Sequence, residues 1–239
     1  MLDPTVEHEH GQSWTRESTS FRMAPGERLR TSAEGLAVLR LPWMEIVIGG
    51  DSVVALPPTA VLSTSLERGR IEQRASSDIL KVKTPEAEVR GRGSVVVSRS
   101  DTANVTWISP REGAFLVKSG RHVVVLAPGE GAIVRGEGRE PLTVTLPARP
   151  RELSPGADPV YAPRGHPITL AWKGTASRYH VEVSSLSGEE PLLSREVKAQ
   201  ELAVALPVLG TFRWRVAAID ENGTEGLPSA AGFFCVVEK

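Results

Sequence analysis

Short apolar runs, broken at close intervals by Gly, Pro and Asn, recur along the first 135 residues and leave long helices little room to form. They include Leu36–Leu41 (LAVLRL), Glu45–Ile48 (EIVI), Val53–Leu56 (VVAL) and Val95–Val97. Val105–Ile108 (VTWI), Ala114–Val117 (AFLV) and Val123–Leu126 (VVVL) follow. Runs of four to six residues, rich in β-branched side chains and bounded by turn formers, are the signature of strands. The 22 Gly and 18 Pro among 239 residues supply the many turns that an all-β chain needs. A hydrophobic share of 40% with 24% charged residues matches a folded globular chain rather than a disordered one, and the length suffices for two domains.

The turns have explicit causes. Ala24-Pro25-Gly26-Glu27 and Ala127-Pro128-Gly129-Glu130 are the same tetrapeptide. In each, Pro presets φ at the first central position and Gly supplies a positive φ at the second, which predicts a type II turn. Similar strand–turn–strand units are therefore expected to open and close one domain. Ser194–Leu202 has fair helix propensity, but Pro191 and the alternation Leu202-Ala-Val204-Ala-Leu206 favour a loop followed by a strand. Between Arg135 and Asp158, the residues Gly136, Gly138, Pro141, Pro147, Pro150, Pro155 and Gly156 mark a boundary, because proline removes donors that a central strand needs. Leu142–Leu146 alternates and is expected as a strand within it. The organisation expected is a disordered N-terminal tail (1–11), a β domain (12–146), a Pro/Gly-rich linker (147–157) and a second β domain (158–239).

Within the first domain, Trp14 is followed by Pro25-Gly26-Glu27-Arg28-Leu29-Arg30-Thr31 and then Ala37–Leu41. Val82-Lys83-Thr84-Pro85-Glu86-Ala87-Glu88-Val89 comes next, then Gly93-Ser94, Gly113–Val117 and Leu126–Glu130. In order and spacing, residues 12–135 resemble the FecR domain, whose most characteristic segment is V-x-T-P-x-A-x-V leading to G-T. Ser94 stands where that family has Thr, and Val96 near a usual Phe, which leaves a smaller core plug. The cytoplasmic sigma-binding segment and membrane helix of an iron-signalling regulator are absent here, so anti-sigma activity is not carried over. The resemblance implies an elongated stack of short strands, solenoid- or roll-like, with rungs about 4.8 Å apart and edges that partners can extend.

In the second domain Ile168-Thr-Leu170-Ala-Trp172 and Tyr179-His-Val181-Glu-Val183 alternate, placing Trp172 inward and His180 and Glu182 outward. Leu202–Pro207 leads through Gly210 into Phe212-Arg-Trp214-Arg-Val216, and Gly232–Val237 closes the domain. This pattern is similar to a fibronectin type III or related immunoglobulin-like sandwich. Phe212 stands at the position of that family's corner tyrosine, so the phenol hydrogen bond is lost, at a cost of about 0.5–1.5 kcal/mol. Asp220-Glu221-Asn222-Gly223 is expected as a hairpin turn, with Asn222-Gly223 suited to type I′.

No catalytic constellation emerges. Gly91-Arg92-Gly93-Ser94 lacks the order of a nucleophile elbow, and the glycine pairs around Glu130 and Glu137 precede no helix that would bind phosphate. Cys235 is the one cysteine, which excludes an intramolecular disulfide and a cysteine metal site. His8-Glu9-His10 places two imidazoles on one face if extended, but a polar tail is the preferred reading; His122, His166 and His180 show no metal-ligand spacing. A net charge of -1 recruits neither nucleic acid nor an anionic membrane, although nine Lys/Arg face five Asp/Glu between Lys81 and Arg135. The N-terminal decapeptide lacks the features of a signal peptide, which leaves either a cytoplasmic protein or an export or anchor segment outside this chain; the envelope reading expects the second.

These features lead to a non-catalytic, periplasmic or cell-envelope interaction or scaffold protein, with no cofactor, no metal and no assigned catalytic or ligand-binding residue. Its partner would be another envelope protein or a second copy, and any membrane attachment would come through a segment not in the chain. The alternative is a peptidoglycan or polysaccharide binder, which would present Trp43 or Trp107 in a groove, with Trp14 the third aromatic to watch.

Overall fold

A computed structural model describes residues 5–11, 13–17, 20–56, 63–187 and 191–238, with the side chains of 10 and 76–78 outside the description. The described residues are all-β, as the strand-like runs imply. No helix among them is long and apolar enough to cross a membrane. The chain divides into two compact units, Met1–Leu146 and Pro147–Lys239.

In the first unit, β1 (Val6–His10), β2 (Ser13–Glu17) and β3 (Arg28–Thr31) are followed by β4 (Ala37–Leu41), β5 (Met44–Ile48) and β6 (Val53–Ala55). Then come β7 (Ser63–Lys83), β8 (Glu88–Ser100), β9 (Val105–Glu112), β10 (Phe115–Ser119), β11 (His122–Leu126), β12 (Glu130–Arg135) and β13 (Leu142–Thr145). One sheet links them in the order β13-β12-β9-β8-β7-β6-β3-β1-β2, with β10–β11 branching from β8 and β4–β5 from β7. The pairings within it are antiparallel.

Strand length differs from the sequence expectation. β7 runs for 21 residues and β8 for 13, well beyond four to six. Their length lets each change partners: β7 pairs with β6 and then β5 along one edge, while β8 pairs with β9 at one end and β10 at the other. Leu66, Ile71, Leu80 and Val82 of β7 and Val89, Val95 and Val97 of β8 feed one apolar core with Ile46, Ile108 and Phe115. Val96, expected as a reduced plug, lies outside that core cluster although it too is buried. Gly91 lies beneath Phe115: a Cβ there would stand 2.4 Å from the ring and from the Ala114 carbonyl.

The duplicated turns form as the tetrapeptide predicts. Gly26 and Gly129 have φ of 92° and 86°, and the Glu27 and Glu130 amides donate to Ala24 and Ala127 carbonyls at 3.2 and 3.0 Å. Each glutamate also turns back, its carboxylate accepting from the Ala24 or Ala127 amide.

The expected disordered tail is corrected over residues 6–10. They form β1 between β2 and β3, because the alternating polar residues find partners: the Arg30 guanidinium donates to Glu7 and the Arg28 guanidinium lies 3.4 Å from Glu9. Residues 1–4 lie outside the described residues.

The second unit holds β14 (Arg151–Ser154), β15 (Val160–Pro163), β16 (Ile168–Lys173), β17 (Arg178–Ser185), β18 (Pro191–Val197), β19 (Glu201–Val204), β20 (Gly210–Ile219) and β21 (Gly232–Val237). They make a three-stranded sheet, β14-β16-β19, and a five-stranded one, β15-β21-β20-β17-β18. Leu170, Trp172 and Val204 of the first sheet share a core with Tyr179, Val181, Phe212, Trp214 and Phe234 of the second.

Three expectations are corrected here. The 147–157 linker instead belongs to this unit: Arg151–Ser154 pairs with β16, and the Trp214 indole donates to the Pro155 carbonyl at 3.0 Å. Ser194–Val197, expected in a loop, extends β18, since pairing with β17 overrides local propensity. At Asp220–Thr224 the turn is not type I′, because Asn222 is outside the left-handed region and only Gly223 has positive φ, at 91°. The Gly223 amide donates to the Asp220 carbonyl at 3.1 Å, which gives a three-residue loop ending in a left-handed glycine.

Candidate interaction surface

Three groups of chemically capable side chains are brought together by the fold, and two of them are structural. The first sits under the Thr84-Pro85-Glu86-Ala87 turn that joins β7 to β8. Arg99 binds the Glu86 carboxylate with both Nε and a terminal nitrogen, each at 2.8 Å. The Thr106 hydroxyl lies 2.8 Å from Glu86 and 2.9 Å from Thr84 Oγ1. Having one proton, Thr106 donates to the carboxylate and accepts from Thr84, whose oxygen accepts from the Ala87 amide at 3.0 Å. Burial would raise the Glu86 pKa, but the Arg99 and Thr106 hydrogen bonds outweigh it and hold the carboxyl below its ordinary value. Glu72 follows the same pattern: burial opposes its charge, and Arg74, Arg70 and Arg111 restore it, leaving its pKa lowered.

The second group lies in the second unit. His180 does not face solvent as alternation predicts; it is buried, with Nε2 2.8 Å from Ser194 Oγ and Nδ1 3.4 Å from buried Glu225. The segment after the Asp220–Thr224 turn causes this, because Gly226 and Ser229 bond back to Ala218 and Val216 and so keep it along β20. Sequence periodicity carries no signal for a segment that covers the polar face of its own sheet.

The remaining predicted positions are dispersed. His8 is buried, with Nε2 2.8 Å from Glu27, Nδ1 3.7 Å from Glu17 and its ring stacked 5.1 Å from Phe21. The side chain of His10 lies outside the description. His166 occupies an exposed turn, and His122 begins β11. Among the described residues no group of three His, Cys, Asp or Glu side chains is placed to hold a metal ion. Trp43 packs against the first core, Trp107 is half-buried, and Trp14 is capped by Arg30 and Arg28 at 4.4 and 5.6 Å from its ring centroid. A cavity of about 270 Å³ is lined by Val6, Phe21, Leu29 and Leu39, with Glu17 its acidic member.

The third group is an edge. Among the described residues β11 pairs only with β10, so its far side offers backbone groups that no described strand pairs. Its outward side chains are apolar: Val125 is 68% exposed, Val123 50%, and Leu116, opposite Val125 on β10, 36%. Other open edges of this sheet are blunted: β2 carries Arg16 and Glu17, β4 carries Arg40, and β13 lies between Pro141 and Pro147. Within β11 there is no Lys, Arg, Asp, Glu or Pro. Its VVVL run was legible as a strand, but its place at an edge depends on a branch of the sheet that no local pattern specifies.

A comparison with protein-family models gives no match, and neither does one with curated proteins. Among solved structures the chain is similar to a provisionally assigned anti-sigma factor from Parabacteroides distasonis, at 21% identity and a TM-score of 0.44. That match covers 49% of this chain and 59% of the other, so it spans less than two thirds of that protein. It is also similar to a beta-1,2-glucanase from Parabacteroides distasonis, at 15% identity and a TM-score of 0.30, over 86% of this chain and 34% of the enzyme. At these scores neither likeness carries weight for function.

Proposed function

We propose that this chain is a non-catalytic interaction or scaffold protein of the bacterial cell envelope, which binds by adding a partner's strand to the free edge of β11. The carrying observation is that among the described residues β11 is paired on one side only and that its outward face exposes Val123 and Val125. Natural proteins protect such edges, and an unprotected one is a template for β-augmentation. The envelope placement rests on the order of FecR-like motifs across residues 12–135. A fibronectin type III-like second unit is supported by two sheets enclosing Trp172 and Trp214. The buried ionic groups favour a binding role over catalysis, since Arg99 satisfies Glu86 and Arg74 satisfies Glu72.

The test compares wild type with a Val123→Lys/Val125→Lys variant, by light scattering and by recovery of partners from envelope extracts. The wild type is expected to bind a defined partner or self-associate, and the variant to do neither while keeping its unfolding midpoint. A variant that retains the same partner, or a wild type that stays monomeric and recovers nothing, refutes the proposal.

A further inference from the structure

The register of four strands shows what surrounds the β11 edge. On the outward face one row runs Lys81, Arg90, Leu116, Val125, and the next runs Lys83, Glu88, Lys118, Val123. Both rows therefore pass from charge to valine as they reach the open edge. Five of these eight positions are charged, and four are cations against one carboxylate. Glu88 is already engaged by Lys81 at 3.0 Å and by Arg90. Lys118 is exposed and lies directly across from Val123, and Arg121 is exposed in the turn that begins β11.

Resting on the docking reading above, we propose that the partner strand is apolar at its centre and acidic at the end that lies beside Arg121. Directly opposite Val123 and Val125 an incoming strand meets only methyl groups, and β-branched residues pack best there. One residue further along the same face it meets Arg121. Lys118 stands two strands away, about 10 Å, and its four-carbon stem can lie over Val123 to reach a carboxylate on the newcomer. An acidic flank would meet Arg121 and Lys118; the other cations of the two rows lie three or four strands away, and Glu137 borders the same depression as Lys83, Glu88 and Lys118. A second copy of this chain would instead bring another cationic face to the seam, which makes it the poorer occupant on charge.

Three synthetic peptides test this against the full chain: Asp-Thr-Val-Thr-Val-Thr-Asp, the same peptide with Ser at both ends, and the same with Lys at both ends. Binding is read from amide shifts of His122–Leu126 in a titration at low salt, with light scattering on the chain alone. The acidic peptide is expected to bind about tenfold or more tightly than the basic one, the gap closing as salt is raised. Lys118→Glu, an exposed change that leaves the core untouched, is expected to narrow or reverse the preference. If neutral or basic peptides bind as well as the acidic one, the inference about partner chemistry falls while edge docking stands. If no peptide shifts β11 but the chain associates through it with rising concentration, the occupant is a second copy and the inference is again wrong. If nothing engages β11 at all, edge docking itself fails.

Discussion

Removing Arg99 should cost the first unit more than any surface change, and the cost should depend on pH in a way that identifies its cause. Glu86 is 3% exposed and accepts two hydrogen bonds from Arg99 and one from Thr106. In Arg99→Ala the carboxylate must stay charged without its partner or take up a proton. From an ordinary carboxyl pKa of about 4.3, protonation at pH 7 costs roughly 2.7 units, or about 3.7 kcal/mol. That agrees with the ~3–5 kcal/mol typical of breaking a buried pair. Near pH 4 protonation is almost free, so the defect should shrink by roughly 2–3 kcal/mol. In the wild type the sign is opposite: Glu86 has a lowered pKa, so its stabilisation is complete above the unfolded pKa and is lost as pH falls through the folded value. Urea unfolding followed by tryptophan fluorescence reads this, with the transition of the second unit as an internal control. Glu86→Leu/Arg99→Met should recover most of the loss at pH 7, because no orphaned charge remains. An Arg99→Ala defect under about 1 kcal/mol, or one equally large at pH 4 and pH 7, would refute the charge argument.

Gly91→Ala should destabilise the first unit by about 1–3 kcal/mol in the same assay, because the new Cβ meets the Phe115 ring and a backbone carbonyl. Trp214→Phe should cost the second unit about 1–2 kcal/mol by leaving the Pro155 carbonyl without its donor, read as a lower urea midpoint for that transition alone. Val125→Lys should change stability by no more than about 0.5 kcal/mol, since the side chain is already mostly in solvent, yet weaken peptide binding at β11; a large loss of stability would show that Val125 is covered within the fold.

The β class, both Pro-Gly turns and most core positions follow from the sequence alone, because period-two burial and the φ demands of Pro and Gly are local. Trp172, Trp214, Val95 and Phe115 are inward for that reason. Tertiary structure decided the rest. It made a strand of Val6–His10 by supplying Arg30 and Arg28 from β3, and it buried His180 under a segment some 45 residues away in sequence. It turned Glu86, a variable letter within a turn motif, into a buried ion-pair partner by bringing up Arg99 from the far end of β8. Among the described residues it also left β11 with a neighbour, β10, on one side only. Alternation specifies which side chains of a strand point outward, but which strand lies beside it is set by long-range pairing, so the candidate binding edge exists only in the assembled sheet.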